Sequence, residues 1–266
     1  MSARVFRSPF PTFLVGMMLL FAGFAAAQDD GPDGPDFVPS EGDDWLEYYY
    51  RKPTPDRFVG QLKNWSADGT LTDEHARPPL IAFLSQVIRQ NRDKIAQWYA
   101  DLKGLSPEDL QVLHTAMLFS RTSEAEDVLK KEYGDKFTDQ KQEMPKILEM
   151  KLDRRDSLDM LWGFFYATGD KAAIRRIVNI FIFVDFPDRP DFAKVPDDYK
   201  PLYTEMPNAA HWSLVSNAQR HPKVRELLEE IYRDKAEESK LSPTEKRRLR
   251  NVLNEIDPEK WPLGVE

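Results

Sequence analysis

From Trp45 to Ile256 the apolar residues recur at helical spacing. Phe58, Leu62 and Trp65 form one stripe, Leu80, Leu84, Val87 and Ile88 a second, and Ile95, Trp98, Tyr99 and Leu102 a third. Leu110, Leu113 and Met117 follow, then Leu158, Leu161, Trp162 and Phe165, then Ile174, Ile177, Val178 and Phe181. Two last stripes are Val224, Leu227, Leu228 and Ile231, and Leu249, Val252, Leu253 and Ile256. Steps of three and four place each set on one helix face. No segment alternates with period two between turn signals, so the pattern predicts an all-α chain.

The residues between the stripes support this. Thr54-Pro55, Ser106-Pro107 and Ser242-Pro243 each put a capping hydroxyl before a proline at the first helical position. Asp109 and Glu245 stand three residues after the last two caps, and Ser242 with Glu245 matches a capping box. Gly69, Gly104, Gly134 and Gly169 are placed to end helices in the left-handed conformation. Short gaps between helices predict stacked antiparallel hairpins, an α-solenoid-like architecture without the residue pattern of a named repeat.

The rhythm breaks at 185–207, where Pro187, Pro190, Pro196, Pro201 and Pro207 alternate with aromatic residues. This is expected to be a packed crossover before the C-terminal helices. A single domain over 45–256 is the preferred reading, with subdomains 45–184 and 208–256 as the alternative and 257–266 as a tail.

The N-terminus changes the picture. Arg4 and Arg7 precede an apolar run from Phe13 to Phe24 and then Ala25-Ala26-Ala27-Gln28. This is the pattern of a signal peptide cleaved after Ala27, and the run falls short of the roughly 20 apolar residues of a membrane span. Residues 28–44 are acidic and rich in Gly and Pro, which reads as a disordered leader. Removing 1–27 takes two arginines and no acid, leaving 35 Lys and Arg against 45 Asp and Glu, a charge of −10. That balance argues against nucleic acid and anionic membrane surfaces as partners. The chain has no cysteine, which excludes disulfides, thiol catalysis and thiolate metal sites. The expected location is the periplasm, with secretion as the alternative, and no stable membrane insertion after cleavage.

Local catalytic signatures are absent: there is no G-x-S-x-G, phosphate-binding glycine loop, G-x-G-x-x-G or zinc motif. His75, His114, His211 and His221 include no i, i+4 pair, so no metal or cofactor is expected. No catalytic residue is assigned.

The best candidate for function is Ala209 to Pro222, AAHWSLVSNAQRHP. Ala210, Leu214, Asn217, Ala218 and His221 share the arc expected to face the core, so Asn217 and His221 need buried hydrogen-bond partners. They form either a packing network or a small polar pocket, and the packing network is preferred. Trp212, Ser216 and Arg220 lie opposite, with the composition of an exposed interface strip. The aromatic run of Trp162, Phe164, Phe165 and Tyr166 reads as a helix buried on both sides rather than a carbohydrate platform. Lys246, Arg247, Arg248 and Arg250 read as a charge-paired helix face. Trp45 to Pro53 opens the folded part with four aromatics in six residues, expected to cap the first hairpin.

Three strings, ARPPLIAFLSQVIRQN (76–91), SLDMLWGFFYATGDKAAIRRIV (157–178) and HWSLVSNAQRHPKV (211–224), resemble an uncharacterised family of exported, all-α bacterial proteins, with WLEYYYRKPTPDRFV (45–59) a weaker fourth. The resemblance implies export and a helical-hairpin fold, and it carries over no catalytic residue. The expected role is a module of the cell envelope that binds a protein or peptide. The alternatives are an envelope hydrolase or small-ligand protein using a pocket near Asn217 and His221, and a structural or chaperone-like helper.

Overall fold

Gly163 has no side chain, and a β-carbon built there would stand 2.0 Å from the carbonyl oxygen of Pro79. That close approach brings together the two helices at the centre of the molecule. The computed structural model describes residues 45–134, 144–185, 200–236 and 240–264, without the side chains of 185 and 200–204. All of these belong to one contact unit, 31–266.

Ten α-helices are found among the described residues, and no strand. They are α1 (Phe58–Ala67), α2 (Arg77–Gln90), α3 (Ile95–Leu102), α4 (Pro107–Ser120) and α5 (Ser123–Tyr133). After a loop follow α6 (Arg155–Thr168), α7 (Lys171–Asn179), α8 (Lys200–Arg220), α9 (Pro222–Arg233) and α10 (Pro243–Ile256). The all-α expectation holds, and nearly every residue of the apolar stripes is buried; Leu110 and Ile256 are half-buried.

The most extensive helix contact joins α2 to α6, followed by α2 to α4. Sequence neighbours do pair, α4 with α5, α6 with α7 and α8 with α9. The central pair is nevertheless remote in sequence, unlike a solenoid, in which each repeat touches only the next. Both partners suit a central position. α2 buries a continuous run from Ala82 to Ile88, and α6 buries Trp162, Phe165 and Tyr166 on different sides.

The helix ends follow the sequence with three corrections. Ser242 and Glu245 form a complete capping box, and Ser106 accepts from the Asp109 amide at 3.2 Å. Thr54 caps nothing; its hydroxyl accepts from the indole of Trp45 at 2.9 Å. Gly104, after α3, does not take positive φ, whereas Gly69, Gly134 and Gly169 do. Gly169 ends α6 in the left-handed conformation, while Gly134 closes α5 at φ 58° and ψ −139°, outside it. α4 ends in that conformation at Arg121, φ 54°, a residue the sequence did not mark.

The third correction concerns the crossover. α8 starts at Lys200 and takes in Pro201 and Pro207, so the last eight residues assigned to the crossover are helical. Proline is tolerated in a first turn, where its missing N–H has no intrahelical partner, and Pro207 costs one backbone bond in the interior. Residues 186–199, the segment 1–27 read as a signal peptide and the segment 28–44 read as a leader lie outside the described residues. Upstream of the crossover, α7 stops at Asn179 and a 3₁₀ segment, Ile180–Asp185, carries Phe181 into the core.

Candidate functional site

The inner arc of α8 is the one read from the sequence. Ala210, Leu214, Ala218 and His221 are fully buried and Asn217 nearly so. His221 leaves the helix with φ −123° and ψ 96°, as the residue before a proline must, and it sits at the start of α9. Its amide still donates to the Asn217 carbonyl at 2.7 Å.

Both polar side chains on this arc are satisfied inside the protein. Asn217 Oδ1 accepts from the Tyr166 hydroxyl at 2.5 Å, and its Nδ2 donates to the Ser213 carbonyl at 2.8 Å. His221 Nε2 lies 3.2 Å from Glu47 Oε1, and its Nδ1 lies 3.4 Å from the Tyr50 hydroxyl. Tyr48 covers the imidazole at 4.8 Å between ring centroids, with Tyr166 at 5.6 Å. The same Glu47 oxygen takes Arg220 Nη1 at 2.6 Å. Glu47 is therefore a buried acid, 7% exposed at its side chain, compensated by two groups from the α8–α9 junction.

The N-terminal segment supplies half of this cluster. Tyr50 donates its amide to the Tyr166 carbonyl at 2.9 Å, and its ring packs against Phe165 at 5.1 Å. Gly169 ends α6 with φ 65°, and a β-carbon there would come within 3.0 Å of the Tyr50 ring. Trp45 and Tyr49 pack edge-on against Phe83 of α2, at 5.1 and 5.4 Å, and Trp45 also meets Trp65 of α1. The segment thus acts as a strap from α1 and α2 across α6 to the start of α9, a longer reach than capping one hairpin.

The candidate residues separate into two groups. Asn217, Arg220 and His221 join the strap cluster, whereas Trp212 is 46% exposed on the outer face of α8 and Ser216 is half-buried. Arg220 leaves the outer strip because Glu47 binds it. Sequence reasoning missed Glu47; its signal was a lone acid within the aromatic run WLEYYY.

Chemically, a histidine between a carboxylate and a phenol has the parts of a general base. Here its nitrogens face Glu47 and Tyr50, and aromatic rings surround it. Two surface grooves open elsewhere, one lined by Glu226, Glu229, Glu230, Arg233 and Asp234, the other by Leu152, Arg176, Asn179, Ile182, Phe183 and Glu245. The other histidines lie apart. His75 is exposed beside Glu74, His211 pairs with Glu255 at 2.8 Å, and His114 lies 3.3 Å from the hydroxyls of Tyr99 and Tyr133. Burial pushes the His114 pKa down and that of Tyr99 up. On α6 the Asp159 carboxyl is pushed up to about 6, first by burial and then by the neighbouring Asp156. No group of three potential metal ligands occurs among the described residues, and no helix among them is long and apolar enough to cross a membrane.

Comparison with protein-family models, curated proteins and solved structures finds no match to this chain.

Proposed function

We propose that the chain is exported, cleaved after Ala27, and acts in the cell envelope as a protein- or peptide-binding module of the exported all-α family that its sequence resembles. The observation that carries this reading is Trp212. A large indole stands 46% exposed on a helix whose opposite face is fixed by the Asn217 and His221 hydrogen bonds. Rigid presentation of an aromatic anchor is what a binding surface needs, because little ordering entropy remains to be lost on association. The hydrolase reading has less support, since His221 is fully buried and its nitrogens are engaged by Glu47 and Tyr50.

The test uses the full chain with a photo-crosslinking benzoylphenylalanine at position 212, expressed in an envelope-bearing host. The exported product should begin at Gln28 by N-terminal sequencing. Irradiation should yield one discrete adduct. The purified adduct partner should bind wild-type protein at least about tenfold more tightly than Trp212→Ala, the loss expected for a central aromatic anchor. An unprocessed chain retained in the cytoplasm defeats the export reading. The binding reading fails if no discrete adduct forms or if the purified partner binds both forms equally.

A further inference from the structure

Two adjacent arginines on α7 have different electrostatic surroundings. Arg175 Nη1 donates to Asn179 and lies 3.2 Å from Glu245 Oε1. The other Glu245 oxygen accepts the Ser242 amide at 2.8 Å within the capping box, so this buried carboxylate is committed on both sides. Among the described residues Arg176 has no such partner. Its Nη2 donates to the Met150 carbonyl at 2.6 Å, a neutral acceptor, and its buried Nε has no hydrogen-bond partner. Partial burial lowers its pKa. A half-buried guanidinium without an anion is costly unless another molecule supplies the charge.

Arg176 lines the second groove, of about 390 Å³, together with Leu152, Asn179, Ile182, Phe183 and Glu245. That volume falls within the range of small-ligand sites, roughly 300–1,000 Å³. Leu152, Ile182 and Phe183 make the wall next to the cation apolar, and Ile182 is 43% exposed there. Charge complementarity therefore calls for a single carboxylate, and the apolar wall for a hydrocarbon group attached beside it.

We infer that this groove captures the C-terminal carboxylate of a peptide whose last residue is apolar, with Arg176 holding the carboxylate and Ile182 and Phe183 holding the side chain. A peptide terminus carries both groups on adjacent atoms, and an arginine pairs with a carboxylate through charge-assisted hydrogen bonds. This deepens the binding-module reading by naming a class of ligand, yet it uses a surface whose test does not involve Trp212.

The test measures fluorescence anisotropy with dye-labelled Ser-Gly-Ala-Leu, as the free acid and as the C-terminal amide, on the chain from Gln28 onward. The acid should bind at least about tenfold more tightly than the amide, as loss of a charge-assisted contact implies. Arg176→Gln retains a donor for the Met150 carbonyl and should abolish that preference. Ile182→Glu, at an exposed position, should weaken the acid by a similar factor while melting like wild type. Equal binding of acid and amide, no binding of the acid at concentrations up to about 1 mM, or an acid preference that survives both substitutions overturns the site. Stronger competition by decanoate than by the unlabelled peptide overturns the assignment to a peptide terminus. A negative result here leaves the adduct experiment at position 212 intact, so the two readings fail separately.

Discussion

Asp159 shows how one residue's surroundings become a property of the whole protein. Its carboxyl, on α6, is raised from 3.8 to about 6 by burial and by Asp156, with His75 and Arg155 acting weakly the other way. The folded state therefore holds this proton more tightly than the unfolded chain. Its contribution to stability is fully present below about pH 3.8 and is lost as the pH rises through 6. Asp159→Asn should stabilise the protein at pH 7.5 by about 2 kcal/mol, after discount for partial solvent screening, and do little at pH near 3.5. Urea unfolding at the two pH values decides; an equal effect at both contradicts the assignment. Asp159 could not be singled out from the sequence, because helical spacing assigns a face but not the charges that will approach it. Asn217 and His221 were legible because a polar residue on an apolar arc stands out in any window.

At the scale of elements, the α2–α6 contact depends on Gly163. Pro79 occupies the space where a β-carbon would lie, so Gly163→Ala must force the two helices apart despite alanine's better helix propensity. The expected loss is about 3 kcal/mol or more. Thermal melting is the check, with Gly60→Ala as control, since that position has open space around it. A Gly163→Ala protein that melts like the control would show that the contact is more plastic than described. Elements with wide apolar stripes were readable from the sequence, and those with thin ones were not. α5 buries only Ala125 and Leu129, too little to register as a stripe, and its start depends on Thr122 accepting from the Ala125 amide. α8 was read too short because prolines suggest interruption, while Pro201 falls in a first turn, where a missing N–H costs little.

Across the whole molecule, the strap from Trp45 to Tyr50 joins parts that no local rule connects. Glu47 meets His221 across 174 positions of sequence, and Tyr50 meets Tyr166 through the backbone. Glu47→Ala leaves His221 and Arg220 facing a site built for an acid, and should cost about 2–4 kcal/mol. Proteolysis under native conditions should then cut the strap first, with intact α2 and α6 persisting; wild-type resistance in the variant would remove the strap from the stabilising contacts. The identity and buried face of most helices, and the completed Ser242 cap, were fixed by sequence, because periodicity and capping act within a few residues and need no partner. The pairing of α2 with α6, the acid that completes His221, and the placing of Arg176 against a neutral carbonyl were decided only by tertiary structure. Each depends on which distant groups converge once the apolar faces have packed, and packing selects those neighbours by shape at the contact, as the missing side chain of Gly163 shows.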